Sequence, residues 1–173
     1  MEHVRWVDRV FNFDFPVETS LELLERLRGT PARLEDRLRP LPRDLLVERD
    51  GTRWSVQEHA GHLINVEALF LGRLDDYDAG ITPLRAADQS GGATYASDHN
   101  QSRLSAILAR FREVRGTLVA RLDALDRDGF AREALHPRLN RPMRVCDMML
   151  FEAEHDDYHL ARITELIARR GRV

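Results

Sequence analysis

Apolar positions recur at intervals of three and four in four long stretches of this chain, the spacing of amphipathic helices and not of strands. In the first, residues 17–39, the stripe is Val17, Leu21, Leu24, Leu27, Leu34 and Leu38, interrupted by Gly29-Thr30-Pro31. Thr followed by Pro reads as a cap and a first helical position, so this helix is expected to break near Gly29–Pro31 and restart. The second starts behind Ser55, with Glu58 placed for a capping box, and carries Val56, Ala60, Leu63, Val66, Phe70 and Leu74 to about Tyr77. The third runs from about Ser97 to Ala124 on Leu104, Ile107, Leu108, Phe111, Leu118 and Leu122, and the fourth from about Val145 to Arg169.

Between these stretches lie turn-rich pieces, residues 40–53, 79–96 and 128–143. The middle one holds Gly80, Pro83 and Gly91-Gly92, and its length suits a lid or binding loop. No apolar–polar alternation lasts long enough to predict a strand, and no internal repeat is visible. Four amphipathic helices in 173 residues predict an all-α fold, a helical bundle, with residues 1–173 forming one domain.

Composition narrows the function. Apolar residues make up 43% of the chain and charged residues 32%, a globular balance. The net charge is −3, with no basic surplus, so no nucleic-acid partner is expected. All 26 side chains counted as Lys or Arg are Arg, which removes Schiff-base and lysine-nucleophile chemistry. No apolar run approaches the ~20 residues of a membrane helix, and MEHVRWVDRVFNF has no apolar signal core. The expectation is a cytoplasmic protein with no membrane partner. The single cysteine, Cys146, excludes an intramolecular disulfide and a paired-cysteine metal site.

Histidine carries the chemistry. Of His3, His59, His62, His99, His136, His155 and His159, the last two stand one turn apart in FEAEHDDYHLARI, on a helix face continued by Met148, Ile163 and Leu166. Burial would keep both rings neutral, the metal-binding form, and four-residue spacing lets two nitrogens converge on one ion. A hydrogen-bonded core pair is the plain alternative. His62, in SVQEHAGHL, shares a face with Val66 and Leu69 and would supply a third nitrogen from another helix; His59 is the second choice for that place. Glu58 and Glu152 could orient imidazoles or be ordinary solvated helix positions; Arg162 could meet an anionic substrate, but surface placement is the favoured reading. A His-Glu-x-x-His protease site fits poorly, because Asp156 stands where the catalytic Glu would be. A di-iron site fits poorly too, since Glu133-Ala-Leu-His136 runs into Pro137.

WSVQEHAGHL at 54–63, RGTPARL in the first helix and HPRLNRPMRVCDMMLFEAEHDDYHLARI at 136–163 together resemble the DinB-like metalloprotein superfamily. The resemblance spans roughly residues 17–167. It implies a four-helix bundle with a long crossover connection between the second and third helices. It also implies one divalent metal ion on His62, His155 and His159, zinc or nickel first, iron or manganese next. A homodimer follows from the same resemblance, as does a small-molecule substrate, acted on by a metal-dependent hydrolase or by a transferase using a low-molecular-weight thiol such as bacillithiol or mycothiol. Tyr158 and Ala161-Arg162 stand where many relatives carry a further His or Gln. A metal-binding, stress-related bundle without turnover is the alternative from a different class.

Overall fold

A computed structural model describes residues 4–88 and 90–170, so His3 lies outside the described residues. Four long helices form the bundle: α1 (Ser20–Leu38), α3 (Val56–Asp78), α5 (Leu104–Asp123) and α7 (Val145–Arg170). Short helices α2 (Arg43–Val47), α4 (Gly92–Ala96) and α6 (Arg127–Ala131) occupy the connections. Strands β1 (Glu133–His136) and β2 (Arg141–Arg144) form an antiparallel hairpin before α7, with His136 opposite Arg141. Sequence patterning missed these strands, because four residues are too few for alternation to register.

Helix starts follow local chemistry where it is explicit. Ser55 Oγ accepts from the Glu58 backbone N–H at 3.1 Å, and Glu58 Oε2 accepts from Ser55 N–H at 2.9 Å, the expected capping box. The third long helix begins at Leu104 and not near Ser97, because α4 and a 3-10 turn at His99–Gln101 take up the intervening residues.

The expected break in α1 is absent: the helix runs through Pro31. Proline has no N–H, so the carbonyl of Leu27, four residues back, loses its helical donor. Arg115 Nη1 on α5 donates to that carbonyl instead, at 3.1 Å. Thr30 Oγ1 donates to Arg26 O at 3.1 Å, which ties down the turn before the proline. A cation from another helix replaces the missing bond, and the helix continues.

Each long helix packs against two others, in the cyclic order α1, α5, α3, α7. Gln57 near the start of α3 donates to Ser102 O just before α5, at 3.1 Å, while Arg121 near the end of α5 pairs with Asp75 and Asp78 near the end of α3. Helices α3 and α5 are therefore parallel, and residues 79–103 between them travel the length of the bundle. This is the crossover implied by the family resemblance. Arg26–Glu154 and Arg37–Thr164 contacts make α1 and α7 parallel as well.

The apolar core falls into two clusters, one around Leu27, Phe70, Leu118 and Met149, the other around Leu34, Leu63, Phe111 and Ile163. A buried polar layer sits at the level between them. Arg115, 2% exposed, donates through Nε to Glu67 Oε1 at 2.7 Å and through Nη1 to Asp156 Oδ2 at 2.5 Å. Glu152 Oε1 lies 3.1 Å from Arg115 Nη2, close enough for charge attraction but without hydrogen-bond geometry. Burial opposes the charge on Arg115, but Asp156, Glu152 and Glu67 outweigh it and raise its pKa. Burial drives the Glu152 carboxyl the other way, well above the usual carboxylate range.

Candidate metal centre

Ala60 and Leu63 hold one face of α3 in the core, while the face carrying His62, Val66 and Leu69 turns His62 toward α7. There His155 and His159, one turn apart, point inward at 7% and 4% exposure. His62 Nε2 lies 3.4 Å from His155 Nε2, and His155 Nε2 lies 3.1 Å from His159 Nε2. Nitrogens tetrahedrally placed at 2.0–2.1 Å from a zinc ion would stand about 3.3 Å apart. The donor set therefore fits a divalent ion, and these three residues could hold one.

Electrostatics favours the form that binds a metal. Burial, then the neighbouring rings His155 and His99, lowers the His62 pKa to about 3. Burial, then Arg115 and His59, takes His155 to about 3, and burial holds His159 well below the usual histidine value. All three rings are neutral near pH 7, with a lone pair on one nitrogen each.

Two rings are fixed from behind. His62 Nδ1 is 2.9 Å from Thr94 Oγ1, and with the proton on Nδ1 the lone pair remains on Nε2. His159 Nδ1 is 2.9 Å from His59 Nδ1, which orients that ring in the same way. His59 is thus a supporting partner and not a substitute for His62. The carboxylates considered for this role are engaged elsewhere. Glu58 serves the capping box and pairs with Arg49, while Glu152 belongs to the Arg115 layer. Arg162 pairs with Glu165 and does not line the cavity beside the histidines.

Aromatic rings wall the site. Trp54, just before α3, lies 4.6 Å from the His62 ring and 6.1 Å, nearly parallel, from His159. Trp6, from the N-terminal segment, meets His155 edge-on at 5.0 Å. Nothing in the periodicity pointed to Trp6 or Thr94; a lone Trp among charged residues was the only signal. The three histidines open on a cavity of about 400 Å³, whose α3 wall holds Phe70 and a stripe of His62, Val66, Leu69 and Arg73 spaced four, three and four. Cys146 is buried away from it, its thiol pushed up to about 11 by burial and Asp147.

A parallel–antiparallel four-helix bundle with three converging histidines beside a cavity defines a class of helical bundle with a candidate metal site. Within that class the chain belongs to the DinB superfamily, which it matches over residues 26–163. Among solved structures, YfiT from Bacillus subtilis, described as a probable metal-dependent hydrolase with an unusual four-helix bundle topology, has a TM-score of 0.78. It is 23% identical, with 94% of each chain covered. The mycothiol-dependent maleylpyruvate isomerase has a TM-score of 0.65 at 14% identity, over 86% of this chain and 60% of the other. The colibactin self-resistance protein ClbS, solved with double-stranded DNA, has a TM-score of 0.64 at 20% identity, over 85% and 94%. A comparison with curated protein sequences returns no match.

ClbS corrects one expectation. A bundle of this fold has been solved with duplex DNA, so the exclusion of nucleic acid drawn from net charge does not stand. Net charge averages the whole surface, whereas contact depends on one face. Among the described residues, no helix is long and apolar enough to cross a membrane.

Proposed function

We propose that this chain is a mononuclear metal-dependent enzyme acting on a small molecule in the cavity, with His62, His155 and His159 holding one divalent ion, zinc or nickel before iron or manganese. The observation that carries this is the convergence of three neutral Nε2 atoms at the wall of a mostly apolar cavity. When bound, such an ion lowers the pKa of a water or thiol toward neutrality and polarises a substrate oxygen. Three protein ligands leave room for a fourth, as in catalytic and not structural sites. The protein's own groups do the rest: Thr94 and His59 keep two rings in one tautomer, and Trp6 and Trp54 restrict water.

Hydrolysis is the first reading, supported by likeness to YfiT. Thiol transfer is the second, supported by the shared fold of a mycothiol-dependent isomerase. Buried Cys146 cannot serve as that thiol, so a low-molecular-weight thiol would enter as cosubstrate.

Metal content of the purified protein, beside a His155→Ala, His159→Ala double variant, tests the site. About one ion per chain is expected in the parent and little in the variant. A parent stoichiometry near zero would sink the reading. A panel of esters, amides and electrophiles, with and without mycothiol or bacillithiol, then separates the two reactions. Turnover that needs the thiol selects transfer.

A further inference from the structure

The far end of the cavity has its own chemistry. Arg73 Nη1, His136 Nε2 and Arg138 Nη2 are buried, and none has a hydrogen-bond partner among the described residues. All three residues line the cavity that the histidines open on. They come from α3, the end of β1 and the hairpin turn, so no single element explains their meeting. The Leu139 backbone N–H donates to His136 Nδ1 at 3.1 Å, which leaves the His136 proton on Nε2. Every one of the three orphaned atoms is therefore a donor, two of them on cations.

Counter-charge is missing. No described carboxylate is ion-paired with Arg73 or Arg138, although the chain forms many such pairs elsewhere. Asp76, near Arg73 on α3, accepts Arg85 through both oxygens. Asp88 lines the same cavity, but it is exposed and accepts from Ser90. Arg73 is 2% exposed, and burial lowers its pKa to about 10; burial, then Arg73 and Arg138, lowers His136 to about 4. The guanidinium groups lie over Phe70 and Phe151, which steadies their planes but leaves the orphaned edges unpaired. Burying cationic donors without acceptors is costly unless a ligand supplies the acceptor.

We propose that Arg73, His136 and Arg138 form an anion subsite, so that the cavity takes a small, largely apolar carboxylate whose charged end lies on this trio. Its other end reaches the three histidines. Phe151, against His136 and Arg138, is one turn of α7 before His155, and Arg73 is three turns of α3 beyond His62. The wall between, Val66, Leu69 and Phe70, is apolar and suits an alkyl or aryl body. The volume of about 400 Å³ is in the range of small-ligand pockets. This deepens the proposed function by naming the substrate class, and it rests on the histidine end being the reactive one.

The test is calorimetric, on protein stripped of metal by chelation and on the same protein reloaded. Probes are phenylacetate, 3-phenylpropionate and 4-phenylbutyrate, each beside its uncharged alcohol. At least one acid should bind the metal-free protein, its alcohol about tenfold or more weakly. Arg138→Gln and Arg73→Gln should each weaken that acid about tenfold or more, leave the alcohol unchanged, and keep the metal content. Circular dichroism checks folding; should Arg73→Gln fail to fold, Arg138→Gln, at a partly exposed turn position, decides alone. Equal binding of acid and alcohol, an unaffected Arg138→Gln, or acid binding only in reloaded protein overturns the proposal. The two readings fail separately. Protein that takes the acid but no ion loses the metal site and keeps the subsite, whereas protein that takes the ion without selecting the acid does the reverse.

Discussion

Gly61 lies on α3 between His59 and His62, and its missing side chain makes room for a neighbour. A Cβ there would stand 2.2 Å from His99 Cγ and 2.4 Å from Cδ2. His99 is buried, its carbonyl accepts from Gln57 and its ring Nε2 lies 3.3 Å from Asn65 Nδ2, so backbone and ring are both held. It belongs to the segment whose Thr94 steadies His62. Gly72, on the same helix, would place its Cβ 2.0 Å from Arg85 Nη1, the far end of a flexible side chain. Gly61→Ala should therefore cost about 1–3 kcal/mol and lower metal affinity. Gly72→Ala should stay within about 1 kcal/mol of the parent, because helix propensity offsets the disturbed ion pair. Urea midpoints in the opposite order would contradict this account. At this scale the histidine triad was legible, since four-residue spacing places two rings together and His62 shares a face with core residues. The cations at the other end were not, because their meeting depends on the hairpin that puts His136 and Arg138 beside α3.

Among elements, the polar layer around Arg115 joins α1, α3, α5 and α7 at one level. Arg115→Met would strip partners from Glu67 and Asp156 and free the Leu27 carbonyl at the proline. A loss of about 3–5 kcal/mol is expected, read from urea or thermal unfolding. Glu152→Gln should change stability by less than about 1 kcal/mol, because burial already disfavours the charged carboxylate and neither of its oxygens has a hydrogen bond to lose. A large loss in Glu152→Gln would mean that the carboxyl is charged. The same layer explains what the sequence could and could not reveal about elements. The capping box at Ser55 and the start of α7 are local chemistry and were legible. The continuity of α1 through Pro31 depends on a guanidinium 88 residues beyond the Leu27 carbonyl it bonds, which no local rule can see.

For the molecule as a whole, the buried histidines set the acid limit of stability. Burial takes His59, His62 and His155 to about 3, below the unfolded value of about 6.5, and holds His159 well below that unfolded value too. Between those limits the unfolded chain binds more protons than the folded one. Their contribution is fully present above pH ~6.5 and is lost as pH falls toward 3. Glu67 and Glu152, raised by burial, act in the opposite sense but are outnumbered. Metal-free protein should therefore lose stability steeply between pH 6.5 and 4.5, by up to about 1.4 kcal/mol per pH unit for each histidine. A flat unfolding midpoint over that range would show that the rings are not buried neutral in solution.

The parallel arrangement of α3 with α5, and of α1 with α7, bears on how the chain reaches this state. Up-and-down bundles can begin from hairpins of neighbouring helices joined by short turns. Here the successive long helices α1 and α3 lie diagonally, as do α5 and α7, and α3 meets α5 only after residues 79–103 have traversed the bundle. No adjacent pair of long helices offers a local nucleus. The contacts of α1 on α7 join residues more than a hundred positions apart, as Arg26 and Glu154 do, and those of α3 on α5 residues such as Glu67 and Arg115, 48 positions apart. Loop-closure entropy must then be overcome before those contacts contribute, which raises contact order and slows folding relative to simpler helical bundles. A half-built intermediate has little to hold it together, so the two histidines of α7 reach His62 only as the whole bundle closes.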